Sequence, residues 1–194
     1  MRITGGRVRG RKLTSPRSGQ IRPTCDRVRA ALFNIIGQRV ADSRVLDLFA
    51  GTGAIGIEAL SRGASSVLFV DQSPESGRLI ATNLRTCIVH PQAAFLSLNL
   101  ATVPHLRPLQ AAATSGGRFN LVIMDPPYQK NLAQRVLAMV EGADIMAEDG
   151  LIVVEEHRSA ALPESVASFA LTDHRRYGET GLWFFTPQPT TCRP

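Results

Sequence analysis

The sequence contains no stretch of about eighteen apolar residues, so no segment reads as a membrane span. Its first residues are basic, with no apolar core behind them, which argues against a secretory leader. Cysteine is scarce. Cys25, Cys87 and Cys192 are odd in number and no two form a C-x-x-C pair, which speaks against a disulfide framework and a structural zinc site. A reduced, cytoplasmic protein is the simplest expectation. Lysine is nearly missing, with only Lys12 and Lys130, so arginine carries the positive charge. His90, His105, His157 and His174 are scattered without ligand spacing, so no metal is expected. There is no internal repeat, and the only biased segment is the Pro/Thr tail after Thr186.

What is present fits one α/β domain: 194 residues, 44% of them hydrophobic, with a mean hydropathy of zero. Charge is informative by its position. Residues 1–44 hold eleven Lys/Arg against Asp26 and Asp42, a net of +9, while the other 150 residues hold eleven basic and fourteen acidic groups, a net of −3. A basic arm on a mildly acidic body suggests a polyanionic partner, the plain alternative being a solvated tail. Arg9, Arg11, Lys12, Arg22, Arg27 and Arg29 are the candidates to grip phosphates.

The patterns divide the chain into a basic extension (1–40), an α/β domain (41–187) and a tail (188–194). Residues 1–22 alternate between short polar pieces and glycines, which predicts a small β-hairpin and a loop, too polar to bury. Thr24 as N-cap, Asp26 in the first turn, the stripe Val28, Leu32, Ile35, Ile36 and a stop at Gly37 predict a helix. From residue 44 strand-like runs at 44–49, 66–71, 93–98, 119–124 and 151–155 alternate with helical patterns at 54–62, 74–86, about 101–112 and 131–141. That alternation predicts an open parallel sheet covered on both faces. The end is a hairpin, with 169–176 and 182–185 joined across Tyr177-Gly178-Glu179-Thr180-Gly181, so the sheet closes on an antiparallel strand.

Two stretches carry chemistry. Val45-Leu46-Asp47-Leu48-Phe49 runs into Ala50-Gly51-Thr52-Gly53-Ala54-Ile55-Gly56, a strand, tight turn and helix N-terminus suited to a polar or anionic ligand. Gly51, Gly53 and Gly56 satisfy G-x-G-x-x-G, the dinucleotide pattern. Asp47 tilts the choice away from a pyrophosphate and toward S-adenosylmethionine, because a carboxylate suits a cationic, amino-acid-like ligand. Asp71 ends the next strand, where it can accept both ribose hydroxyls. Either aspartate alone could be a simple turn cap. The second stretch is Asp125-Pro126-Pro127-Tyr128 after the apolar strand 121–124. The Asp125 carboxylate and the Pro126 carbonyl can accept hydrogen bonds from a base amine while Tyr128 stacks on the base. Drawn toward tetrahedral geometry, that amine becomes a nucleophile for a methyl group. Glu155-Glu156 reads as a strand-end cap, and Asn99 as either a turn residue or an adenine contact.

Together these residues resemble the class I S-adenosylmethionine-dependent methyltransferases, and more narrowly the bacterial family that methylates a guanine N2 in 16S ribosomal RNA. The narrower resemblance rests on Met1-Arg2-Ile3-Thr4-Gly5-Gly6, Arg22-Pro23-Thr24-Cys25-Asp26-Arg27-Val28-Arg29, Leu32-Phe33-Asn34, Glu58-Ala59-Leu60 and Tyr177-Gly178-Glu179-Thr180. It implies a Rossmann-like seven-stranded sheet, mostly parallel with its last strand antiparallel. It implies Asp47, Gly51 and Gly53 around the methionine part of the cofactor, with Phe49 also at the cofactor, Asp71 at its ribose and Asn99 at its adenine. Asp125 to Tyr128 would meet the target amine, with Phe33 and Asn34 near cofactor or base. The implied partner is 16S rRNA of the small ribosomal subunit, met by a monomer without a membrane. Cys25 stands where the family usually has Thr, Asp71 where Glu is common, and Asn99 where Asp is usual. The rivals are an adenine or cytosine amino-methyltransferase of DNA or RNA, an NAD-dependent oxidoreductase, and a non-catalytic RNA-binding assembly factor.

Overall fold

The alternation that begins at Arg44 folds into an open sheet with helices on both faces. The computed structural model describes residues 1–15, 25–87, 92–128, 131–166 and 168–188. After α1 (Asp26–Ile36), the chain forms β1 (Arg44–Leu48), α2 (Ala54–Ser61), β2 (Ser66–Asp71), α3 (Pro74–Cys87) and β3 (Ala93–Ser97). It continues through α4 (Arg107–Gly116), β4 (Phe119–Met124), α5 (Leu132–Gly142) and β5 (Met146–His157). These five strands run parallel in the order β3-β2-β1-β4-β5. The chain leaves β1 in one direction for β2 and β3, then returns for β4 and β5. A crevice therefore opens beyond the carboxyl ends of β1 and β4, where such sheets hold ligands.

β7 (Phe169–Tyr177) and β8 (Thr180–Pro187) form the expected hairpin, and β8 enters antiparallel between β5 and β7. The seven expected strands are joined by an eighth, β6 (Ser165–Val166), a two-residue pairing outside β7 that is too short to show alternation. Buried strand residues divide between the two faces. Val45, Leu121 and Val153 pack with α1, α2 and the arm, and Leu46, Val122 and Ile152 pack with α4 and α5.

Three local expectations change. α4 begins at Arg107, not near 101, with Pro108 in its first turn where the missing N–H costs nothing. Cys25 holds the N-cap position of α1 without a side-chain bond, while Thr24 lies outside the described residues. The N-terminal hairpin is reduced to one bridge, Arg2 with Lys12, plus the bonds Ile3 N–H to Arg11 C=O (3.0 Å) and Leu13 N–H to Met1 C=O (3.1 Å). Nor is the arm too polar to bury: Ile3 and Leu13 enter the core, so the arm is sealed onto the main domain.

Candidate active site

The glycine loop is held open by its own geometry. Phe49 (φ 63°), Gly51 (φ 54°) and Gly53 (φ 75°) all sit in the left-handed region, which for Phe49 is a strained conformation of the kind found at ligand sites. Gly53 is also the N-cap of α2. Gly56 has a different reason to be glycine: a Cβ there would lie 2.3 Å from the Phe69 ring of β2, so its absence lets α2 press onto the sheet.

The two aspartates of the loop do more than cap a turn. Asp47 is buried at the end of β1 and accepts the Gly56 N–H through Oδ2 at 2.9 Å. Asp71, at the end of β2, accepts the Gly51 N–H at 2.9 Å through Oδ2 and the Ser73 N–H at 2.8 Å through Oδ1. Burial pushes the Asp47 carboxyl up to about 8, the Gly56 N–H partly opposes this, and the negative charges of Asp125 and Asp71 raise it further. Asp71 and Asp125 are thus both within electrostatic reach of Asp47 at the crevice. Asn99 closes a turn, its Oδ1 accepting the Ala101 N–H at 3.0 Å, so that oxygen is already committed locally.

Asp125-Pro126-Pro127-Tyr128 leaves β4 beside β1, the Asp125 N–H reaching the Leu48 C=O at 3.3 Å. Pro126 is buried, Pro127 exposed, and Tyr128 offers a ring 39% exposed. The opposite wall was not visible in the sequence. His157, the last residue of β5, meets Tyr128 edge-on with centroids 5.8 Å apart. Its Nε2 lies 3.0 Å from Glu179 Oε2 and its Nδ1 2.7 Å from Ser159 Oγ. The Ser159 N–H also points to Nδ1 (3.3 Å), which places the ring proton on Nε2, donated to Glu179. Glu179 lies in the turn between β7 and β8, whose pairing brings Thr180 opposite His157. The sequence signal was the Tyr177–Thr180 turn, which falls beside the end of β5 once β8 is inserted. Burial raises the Glu156 carboxyl above its ordinary range.

The basic candidates separate. Arg9, Arg11, Lys12 and Arg27 are exposed and available to a polyanion, and Arg22 lies outside the described residues. Arg29 is a correction: it is fully buried and cannot face phosphates. Its Nη2 lies 2.9 Å from Asp26 and donates to the Arg2 carbonyl, and its Nε lies 3.3 Å from Glu58. Glu58, itself buried, also accepts the Thr4 N–H and hydroxyl at 2.7 Å each and Arg62 Nε at 2.9 Å. One carboxylate of α2 thereby fastens both the arm and α1. Phe33 is a second correction. It is 1% exposed beneath the Arg62 guanidinium (5.1 Å), so it presents no face to a ligand, while Asn34 is exposed.

Comparison with known proteins completes the picture. A family model described as "Conserved hypothetical protein 95" matches residues 1–186. "Putative rRNA methyltransferase YlbH" of Bacillus subtilis is 36% identical over 182 residues, covering 94% of this chain and 96% of the relative. "Ribosomal RNA small subunit methyltransferase D" of Escherichia coli K12 is 34% identical over 179 residues, covering 92% and 86%. The solved structure "Putative methyltransferase yhhF from Escherichia coli" superimposes with a TM-score of 0.80 at 31% identity, covering 97% of this chain and 98% of that one.

Proposed function

This chain belongs to the conserved hypothetical protein 95 family of RsmD-like methyltransferases, and from that premise we propose that it transfers a methyl group from S-adenosylmethionine to the N2 amine of a guanine in 16S rRNA. The observation that carries the reading is the convergence of Asp47, Asp71 and Asp125 on one crevice. The Gly51 and Gly56 N–H groups that a pyrophosphate would need are already taken by Asp71 and Asp47. Two carboxylates and a buried carboxyl that ionises beside a positive charge favour a cation, which counts against NAD and for a sulfonium ligand with an ammonium group.

S-adenosylmethionine, when bound, supplies an electrophilic methyl on a positively charged sulfur. The chain's own residues do the rest. Asp47, with Gly51 and Gly53, receives the cationic amino-acid end, and Asp71 is placed for the ribose. The Asp125 carboxylate and the Pro126 carbonyl accept the two hydrogens of the guanine amine, and Tyr128 stacks on the base. With those hydrogens held, the amine lone pair is drawn out of conjugation and becomes the nucleophile for the methyl group that S-adenosylmethionine would supply, whose sulfur would keep the electrons of the broken S–C bond. The proton leaves the amine afterwards, toward the Asp125 carboxylate or water. Most of the acceleration is orientation and electrostatics. Arg9, Arg11, Lys12 and Arg27 hold phosphates while the base is unstacked into the site.

The test is nucleoside mass spectrometry of 16S rRNA, alone and within the small subunit, after incubation with the purified protein and isotopically labelled S-adenosylmethionine. Label in N2-methylguanosine is expected. Label only in methyladenosine or methylcytidine, or none in either substrate, would remove the proposal.

A further inference from the structure

Beside Tyr128 lies a cavity of about 350 Å³, walled by Tyr128, Asn131, Gln134, Glu156 and His157. Its volume stands at the lower end for small-ligand sites, which suits a base better than an extended chain. The wall combines a flat aromatic face, two carboxamides, an imidazole and a carboxylate, a set that can hydrogen-bond the edge of a heterocycle whose face is stacked. Asn131 caps the N-terminus of α5 in the left-handed region (φ 68°), a conformation that asparagine accepts readily.

Glu156 is the feature with no role in the transfer step. It follows Val154 on the face of the sheet that carries α5, so its side chain shares a wall with Gln134. It is 6% exposed, and its Oε1 accepts the N–H of its neighbour His157 at 2.8 Å. One oxygen is thereby anchored to backbone, and among the described residues no other donor is engaged with this carboxylate. The other oxygen opens on the cavity, and a ligand that seals it there without bringing a donor incurs its desolvation cost.

From this we infer that Glu156 reads the base edge: its carboxylate accepts the N1–H of the target guanine while Asp125 and Pro126 hold the neighbouring N2 amine. Guanine presents these donors side by side. Adenine and 2,6-diaminopurine present a lone pair at N1, which the carboxylate repels. His157, fixed by Glu179 and Ser159 and meeting Tyr128 edge-on, keeps the stacking ring in the plane this contact requires. The inference rests on the methyl-transfer reading above and adds to it the residue that sets base choice.

The experiment uses full-length protein and RNA fragments carrying either guanine or 2,6-diaminopurine at the methylated position. Both bases have the N2 amine, and they differ at N1. The wild type should prefer guanine by roughly tenfold or more in kcat/KM. Glu156→Gln, whose amide can donate to N1, should lose that preference or invert it, chiefly by gaining turnover on diaminopurine. S-adenosylmethionine affinity by calorimetry should stay at the wild-type value, which verifies the folded site. Glu156→Ala offers a second reading, in which the guanine preference falls toward unity without a gain on diaminopurine. An unchanged guanine preference in both variants, or an equal loss on both bases, overturns Glu156 as the reader and leaves the methyl-transfer reading intact. Failure of the wild type to methylate either base would instead count against that reading.

Discussion

Arg29 Nε and Glu58 Oε2 lie 3.3 Å apart, both side chains fully sealed from solvent, and the pair joins the helix before the sheet to the helix that follows the glycine loop. Removing one partner leaves the other charge buried with only part of its compensation, Asp26 for Arg29 or Arg62 for Glu58. Arg29→Ala or Glu58→Ala should therefore cost up to about 3 kcal/mol of stability, the low end for breaking a buried pair. Glu58→Ala should also release residues 1–15 to limited proteolysis, because Thr4 and Arg62 lose the same acceptor. Urea denaturation and a digestion time course measure both, and a wild-type midpoint would show that the pair is dispensable.

Asp47 makes stability depend on pH in an unusual direction. The unfolded chain gives up this proton near 3.8, while the native site keeps it up to about 8. Between those values the native state binds more protons, so the contribution is full below about 4 and is lost as pH rises toward 8. Asp47→Asn should abolish this slope and raise stability at pH 8. A cationic ligand against Asp47 favours its ionised form, so S-adenosylmethionine binding at pH 7 should expel a proton. Calorimetry in buffers of different ionisation enthalpy reads that proton directly, and a buffer-independent enthalpy would contradict the coupling.

Asp125→Ala should abolish methyl transfer while largely sparing cofactor affinity, since the proposed mechanism gives the lost acceptor to the target amine. Single-turnover transfer and equilibrium cofactor binding, measured on one preparation, separate the two effects. Retained turnover would take Asp125 out of the mechanism.

The exposed cations should act through phosphate alone. Replacing Arg9, Arg11 and Lys12 together by Gln should weaken RNA binding and lower the slope of log K against log salt by about two, if each makes one contact to single-stranded backbone. The Arg29 variant is the contrast: at temperatures where it stays folded, its salt slope should match the wild type. A wild-type slope in the triple variant would assign the arm a purely structural role.

The sheet was legible because its signals are local. The apolar run at Val45–Leu48, the turn glycines and the Gly178 hairpin each declare themselves within ten residues. Asp47, Asp71 and Asp125 were legible for the same reason, each standing at the end of a recognisable strand. Arg29 was misjudged because it lies off the apolar stripe of α1, and nothing nearby in sequence announces that Glu58, twenty-nine residues on, will bury it. The arm was judged too polar for the same reason, since Ile3 and Leu13 find their core only through long-range contacts. α4 slipped because the segment before it is a turn held by Asn99 rather than the start of a helix. The wall of His157, Glu179 and Glu156 was hidden by topology. Its members come together only after β8 is laid against β5, which no periodicity encodes.

The position of β8 also dictates an order of assembly. β7 precedes β8 in the chain, yet it lies on the far side of β8, so it joins the five parallel strands only through β8 docked on β5. The five parallel strands and the crevice between β1 and β4 can form earlier, from sequence already complete at His157. Until β8 reaches the edge of β5, the hairpin that carries Glu179 stays off the sheet. A nascent or partly unfolded molecule in that state holds the three aspartates in place while its Tyr128 wall is unfinished, with the edge of β5 open to pairing with another chain.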